Sequence, residues 1–395
     1  MFRLIETLAL GLILAVCSPS LGFGTTLVTD PNTATSNFPS DPKGAVDTAR
    51  QRVASGDVNG AVNQLAKYVA LHPREIEPAR LLGDLYYRQF KLPAAETTFR
   101  RILTQFPADS ETHNRLGSVY ASENRLSDAV SEFDKSLPNT SAVSDLVAVH
   151  RRLGDFDRFE RQVAMSAVEH RWDAGAQETL GAVYYENHKY GQAIDAFRNA
   201  LQIAPNSCQA LNGMGLVYLD QHDYAGANGF FERCRTVNPR NYSAAINLAV
   251  SHIETQQYDA ARRLLEFANG VAPEQPEALV NFGYIEDTHN NWKGAIAYYL
   301  KALAVFPFSR DAYVDLGFDY KTHKLYELAE AAFIKGLTVS PKDARLHYLL
   351  GETYREQQKT ALAVEQFKAA AQADEPDVSS AAKRRIATLL QGGMH

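Results

Sequence analysis

Pro205, Pro239, Pro273, Pro307 and Pro341 stand 34 residues apart, and Pro73 and Pro107 keep the same interval. Two columns of small residues run in step with them: Gly181, Gly215, Ala249, Gly283, Gly317 and Gly351, then Ala193, Ala227, Ala261, Ala295, Ala329 and Ala363. A third column is large and apolar, at Phe197, Phe231, Leu265, Tyr299, Phe333 and Phe367. Length alone suggests two or three domains for 395 residues. A fixed period of this size points instead to an array of equal supersecondary units, none of which buries its apolar face alone.

Between the glycine and the proline of each unit, apolar residues recur every three or four positions, the period of an amphipathic helix. The pattern breaks once, at segments such as ENHKYG, DQHDYA and DTHNNW, so each unit reads as two helices joined by a tight turn. The small columns mark where the two helices cross, because a larger side chain would hold the backbones apart. The Phe column fills the space beside the crossing, and the proline stops the second helix by withholding a backbone donor.

One unit runs through Ala174, Leu180, Gly181, Tyr184, Ala193, Phe197, Ala200 and Pro205, and this pattern resembles the tetratricopeptide repeat, with Gln177 where that family carries an early Trp. The likeness continues toward the N-terminus in Leu82, Gly83, Tyr86, Ala95, Phe99 and Pro107, in Leu116, Gly117, Tyr120, Ala129 and Phe133, and more weakly in Ala49, Ala61, Leu65 and Pro73. The resemblance implies an all-α fold: an α-solenoid superhelix of about ten helix-turn-helix units over residues 42–376. Residues 377–395 are expected to cap it, with Ala382, Ile386 and Leu389 on the solenoid end and Lys383, Arg384 and Arg385 outward. Between residues 140 and 173 the pattern decays: Val147 takes the Gly column only 30 residues after Gly117, Phe159 takes the Ala column, and Arg171 replaces the proline. A local change of superhelical geometry is expected there.

Residues 1–24 hold an uncharged apolar run from Leu8 to Cys17 followed by small residues, too short to span a bilayer, so a cleaved secretory signal is the expectation. Lipidation at Cys17 is the alternative. Residues 25–41, rich in Thr, Asn, Ser and Pro, read as a tether. The chain is therefore expected to be exported, periplasmic or extracellular, with membrane-anchoring through residues 1–24 or a Cys17 lipid as the other possibility. Cys208 and Cys234, 26 residues apart, are either two buried thiols or a disulfide, and the expected helix pairing lets them be neighbours.

With 46 acidic against 40 basic residues the chain lacks the positive excess that nucleic acid requires. No HExxH, GxSxG, GxxxxGK[ST] or CxxC occurs, so no enzyme, metal or cofactor site is expected. His188, His222, His289 and His323 fall in turns, too far apart for one metal. In tetratricopeptide arrays the first helices line a concave groove. Carried over, that places Asn247, Asn281 and Asp315 just before the Leu-Gly pair or its equivalent, and Asn212 one residue off the column. Tyr284, Phe318 and Glu352 follow the Gly, with Lys321 and Arg355 farther along. A row of amides can hold the backbone of an extended peptide, and the row resembles the asparagine ladder of the eukaryotic N-acetylglucosamine transferases. The expected function is a non-enzymatic scaffold that binds an extended polypeptide partner in envelope assembly, polysaccharide export or secretion. The alternative is a membrane-tethered adaptor regulating an enzyme on another chain.

Overall fold

The computed structural model describes residues 41–392 apart from 55–56, 138–139, 273–274 and 374–375. The expectations for residues 1–40, Cys17 included, and for Pro273 lie outside the described residues. Contacts divide the chain into two compact bodies that meet in sequence between Ser136 and Leu137, where the repeat pattern starts to decay.

The N-terminal body pairs α1 (Pro42–Ala54) with α2 (Val58–Leu71), α3 (Ile76–Arg88) with α4 (Leu92–Gln105), and α5 (Ser110–Ser122) with α6 (Leu126–Ser136). The C-terminal body begins with α7 (Thr140–Leu153) and α8 (Phe156–Glu169). Regular pairs follow: α9 (Ala174–Glu186) with α10 (Tyr190–Ile203), α11 (Cys208–Asp220) with α12 (Tyr224–Val237), and α13 (Tyr242–Glu254) with α14 (Tyr258–Val271). Then come α15 (Pro276–Thr288) with α16 (Trp292–Val305), α17 (Arg310–Thr322) with α18 (Tyr326–Val339), α19 (Ala344–Glu356) with α20 (Thr360–Ala370), and a last helix α21 (Pro376–Gly392). Among the described residues there is no strand, and the ten pairs match the ten expected units.

The small columns do what their size allows. A Cβ added to Gly117 would lie 2.6 Å from the Phe133 ring, one on Gly181 2.6 Å from Phe197, and one on Gly351 2.8 Å from Phe367. Where glycine holds the column, the first helix thus rests on the aromatic of its own second helix, and Phe133, Phe197, Phe231, Tyr299, Phe333 and Phe367 are fully buried. Each such ring stabilises the stack by about 2–3 kcal/mol. Two exceptions are compensated: where Ala49 and Ala249 stand in the glycine column, the partners are the smaller Leu65 and Leu265, and all four are completely buried.

The turns share one geometry. Phe90, Asn124, His188, His222, Gln256, Asn290, Lys324 and Gln358 all have φ between 54° and 61°, a left-handed column that keeps the 34-residue period except across the shortened unit between Asn124 and His188. The following amide closes the motif, as where the N–H of Asp223 reaches the carbonyl of Tyr218 at 2.9 Å and that of Lys359 reaches Tyr354 at 2.9 Å. His188 and His222 therefore occupy the turn position itself, and His289 and His323 the residue before it.

The decayed unit keeps the turn and loses the joint. Gly154 takes the left-handed position with φ of 74°, but Val147 fills the glycine column and the Phe column holds only Val163, half-buried. With no ring in the Phe column, contact between α7 and α8 is reduced to pairs such as His150 stacked on Phe159 at 4.2 Å, and both helices pack mainly against α9 rather than against each other. Gln177, which stands in the place of the family's Trp, is buried and donates to the carbonyl of Ala167 at 2.8 Å, tying α9 to the end of α8.

At the far end Ala382 is buried, and Ile386 and Leu389 pack on the core around Leu350 and Phe367, as expected of a cap. Lys383 and Arg384 are exposed. Arg385 departs from the expectation that it faces outward: its Nε lies 2.6 Å from Glu352. Three residues beyond Ala382, it falls on the edge of the buried face of the helix and not on the far side. Cys208 and Cys234 are joined as a disulfide with their Cα atoms 4.7 Å apart, so the bridging alternative is the one the structure takes.

Candidate functional site: the faces of the first helices

In the C-terminal body α9, α11, α13 and α15 lie each beside the next, so their outward positions form a continuous face. Asn247 on α13 is half-buried and makes no side-chain hydrogen bond among the described residues. Asn281 on α15 donates from Nδ2 to the carbonyl of Glu277 at 2.9 Å, one turn back on its own helix. Asp315 and Tyr284 are half-buried and already engage neighbours, as does Phe318. Phe318 is 36% exposed, and the Lys321 ammonium lies 5.6 Å from its ring centroid, within cation–π reach. Asn212 is set apart from the row: its Oδ1 is buried without a hydrogen-bond partner.

Glu352 and Arg355 belong to a different arrangement. Glu352 is only 7% exposed, accepts from Arg355 Nη2 at 3.0 Å and pairs with Arg385 of α21. Arg355 also reaches Glu356 at 2.5 Å. The last helix of the chain thus supplies the partner for Glu352 on α19.

The N-terminal body shows the same positions filled otherwise. Arg115 stands two residues before its glycine, in the column of Asn247 and Asn281, and its Nε donates to Asp84 at 2.8 Å while Nη2 lies 3.0 Å from Glu111. One turn deeper Arg80, 6% exposed, is ringed by Glu77 at 2.8 Å, Asp109 at 3.1 Å and Glu111 at 2.7 Å. Burial opposes ionisation of Asp109, but hydrogen bonds from Thr112 and the Arg80 charge outweigh it and hold the carboxyl below its ordinary value. These pairs were missed from the sequence, although Asp84 and Arg115 are 31 residues apart, three short of the period, and such a spacing joins neighbouring first helices.

Several carboxylates of the C-terminal body shift the other way, whereas Glu286 is held below its ordinary value by the hydrogen bond from Arg262. Asp145 on α7, 7% exposed, is raised to about 7 by burial and by the nearby Glu186 charge. Burial also raises Asp220 and Glu254, which accept from Tyr190 at 3.2 Å and Tyr224 at 3.4 Å. His188 and His222 meet those same tyrosines at 3.1 Å, which gives them partners inside the turn region. Among the described residues, no group of three His, Cys, Asp or Glu is placed to hold a metal, and no helix is long and apolar enough to cross a membrane.

Three family models, each described as a tetratricopeptide repeat, match this chain: one over residues 46–110, 80–143 and 319–378, one over 174–207 and one over 218–279. The chain is a tetratricopeptide-repeat protein. No curated protein matches it. Among solved structures, it is similar to the APC/C hetero-tetramer Cut9–Hcn1, at 14% identity over 88% of this chain and 91% of that one, with a TM-score of 0.50. It is similar also to yeast Tom70, at 13% identity over 89% of this chain and 96% of that one, with a TM-score of 0.51. Likeness at this identity establishes the solenoid fold and leaves function to the site. Tetratricopeptide-repeat proteins generally act as scaffolds for protein–protein interaction and typically bind protein or peptide partners.

Proposed function

We propose that this chain is a non-enzymatic scaffold that holds an extended polypeptide along α13, α15 and α17. The observation that carries the reading is the contrast within one column: Arg115 is saturated by Asp84 and Glu111, whereas Asn247 makes no side-chain hydrogen bond and Asn281 spends only its Nδ2. An amide offers both a donor and an acceptor, so spaced amides match the alternating groups of an extended backbone whatever its sequence. Tyr284 and Phe318 beside the row supply apolar surface for alternate side chains, and Lys321 adds a charge next to Phe318. Asn212 and Asp315 border the stretch, and Glu352 with Arg355 marks its closed end.

The site we propose acts outside the cytoplasm, in envelope assembly, polysaccharide export or secretion. The Cys208–Cys234 bridge supports this, because disulfides persist in oxidising compartments. The apolar run Leu8 to Cys17 supports it as well.

Two measurements test the reading. Tagged full-length chain and its Asn247→Ala/Asn281→Ala double variant are used to capture partners from the native cell, with the partner then titrated against both. Each lost hydrogen bond costs about 1 kcal/mol, so binding about thirtyfold weaker is expected of the double variant, and equal affinity would defeat the proposal. Sequencing the mature N-terminus is expected to give a start between residues 18 and 25; a retained Met1 would remove the case for export.

A further inference from the structure

Away from the first-helix face, α12, α13 and α14 enclose a cleft of about 280 Å³ lined by Glu232, Arg235, His252, Ala260, Arg263, Leu264 and Phe267. Its location is a regular feature of the stack. In the N-terminal body the equivalent cleft, about 210 Å³, is lined by Ala66, Leu82, Tyr86, Thr97, Thr98 and Arg101. The lining is what differs, because several columns break together at this one place.

Arg235 stands where Leu103, Leu201, Leu303 and Leu337 stand in other units. His252 takes the column of Tyr86, Tyr120, Tyr184, Tyr218, Tyr320 and Tyr354, and a smaller ring there opens space. Phe267 replaces the polar column of Arg101, Asn199, Arg233, Lys301 and Lys335, and Arg263 brings a positive charge to a column that is otherwise mixed, with Asp195, Gly229, Ala297, Ala331 and Glu365. An exposed polar position has become aromatic and a packed leucine has become a guanidinium, both against the local rule of the repeat. Departures of that kind cluster at functional sites.

The polar atoms are left in need of a partner. Arg235 gives Nη1 to Glu232 at 3.0 Å, but its Nε is buried and unpaired. Nδ1 of His252 is likewise buried with no hydrogen bond. Arg263 is exposed and pairs with no carboxylate among the described residues. An unsatisfied buried donor is costly, and native structures rarely keep one without a use. Two guanidiniums against the single carboxylate of Glu232 leave a surplus of one positive charge. Phe267, Leu264 and Ala260 form an apolar wall beside it, and Arg235 Cζ lies 5.5 Å from the Phe267 ring centroid.

We propose that this cleft binds a monoanionic carboxylate carried on an apolar stem, with Arg263, the Nε edge of Arg235 and the His252 imidazole taking the carboxylate and Phe267 and Leu264 taking the stem. Guanidinium forks match the planar carboxylate in a bidentate way. The single surplus charge suits a monoanion better than a phosphate. The volume admits one small group, either a free aryl or alkyl carboxylic acid or the C-terminal residue of a polypeptide. This site is independent of the amide row on α13, α15 and α17, and each stands or falls alone.

The test is NMR titration of the full chain, following the Nε–H resonances of Arg235 and Arg263, with 3-phenylpropionate, 3-phenylpropionamide, inorganic phosphate, and acetyl-Gly-Phe with a free or amidated C-terminus. Saturable shifts are expected with the free acids, at least about tenfold stronger than with the amides or phosphate. Tighter binding of the free-acid peptide than of phenylpropionate would assign the cleft to a polypeptide terminus, and the reverse order to a small organic acid. Arg263→Ala, on an exposed position, and His252→Tyr, which restores the residue of the repeat, are each expected to weaken binding about tenfold while the melting temperature is kept. Equal response to acid and amide, equal response to phosphate, or no saturation by any carboxylate would overturn the proposal.

Discussion

The two bodies are made of the same unit, and their first helices carry side chains of different chemistry. In the N-terminal body the first helices are laced by Arg80 and Arg115 to four carboxylates, and Asp109 is driven toward its charged form. In the C-terminal body the same column carries amides at Asn247 and Asn281, and the carboxylates of buried Asp145 and half-buried Asp220 and Glu254 are driven toward their neutral forms. The difference teaches that the joint between helices and the face they present are set by separate residues. Glycine on aromatic builds the stack in both bodies, so the positions two before and one after the glycine can carry ion pairs in one, as at Arg115 and Asp84, and amides and aromatics in the other, as at Asn247, Asn281, Tyr284 and Phe318.

The largest expected effect lies in the closed face. Arg80→Ala removes a buried guanidinium from half-buried Asp109 and from Glu77 and Glu111, which remain in water, and this costs about 3 kcal/mol, the low end for breaking a buried pair. Hydrogen exchange is expected to rise across α3 and α5 and to stay unchanged in α13 to α20. A loss below about 1 kcal/mol would mean that the ion pairs do not hold this face.

Next comes the bridge that only the C-terminal body owns. Closing a loop of this length stabilises by about 3 kcal/mol, so Cys234→Ala is expected to lower the thermal midpoint of that body alone. Titration of the oxidised, denatured chain should find neither Cys208 nor Cys234 reactive, whereas two free thiols there would contradict the bridge.

The shared joint ranks third. Gly117→Val and Gly317→Val each force a side chain into a buried ring, Phe133 or Phe333, and overpacking of this kind costs about 1–3 kcal/mol. Similar losses in the two bodies are expected, and a marked difference would break the claim that the joint is common. The pair Ala249 and Leu265 indicates a rescue: adding Phe333→Leu to Gly317→Ala should recover much of the loss, as read by chemical denaturation.

The pH responses should run in opposite directions. The raised carboxyl of Asp145 contributes stability that is fully present below about pH 4, the unfolded value, and is lost as pH rises toward about 7. Asp145→Asn is therefore expected to raise the melting temperature of the C-terminal body by about 3 °C at pH 8 and to change little at pH 4. The lowered carboxyl of Asp109 contributes stability that is present at neutral pH and lost as pH falls below about 4, so Asp109→Asn should hurt at pH 7 and matter least in acid. Smallest of all is the cost of Asn247→Ala or Asn281→Ala to the fold itself, within about 0.5 kcal/mol, because the residues are proposed to serve a partner.

Sequence reasoning reached the joint and the turn because both repeat. Gly181, Ala193 and Phe197 recur in register, and a periodic constraint shows itself without coordinates. It missed what depends on relations between units. Asp84 and Arg115 reveal themselves only once neighbouring first helices are known to lie side by side. The burial of Asp145 follows from α7 leaning on α9, which the decay of the pattern signals without specifying. The left-handed column was hidden for a different reason: Phe90, His222, Gln256 and Lys324 are not residues that announce positive φ, and only Asn124, Asn290 and Gly154 are. Arg385 was placed outward by counting it with Lys383 and Arg384, whereas a shift of one residue on a helix turns a side chain by about 100°.

The most direct test of the open face compares one position in the two bodies. A photo-crosslinking residue is placed at Phe318 in the C-terminal body and, in a second strain, at Ser118, which also follows its glycine in the N-terminal body. In the native cell, the account predicts that the Phe318 position captures a polypeptide and that this product is lost in the Asn247→Ala/Asn281→Ala background, while the Ser118 position captures none. Equal capture at both positions, or none at Phe318, would contradict it.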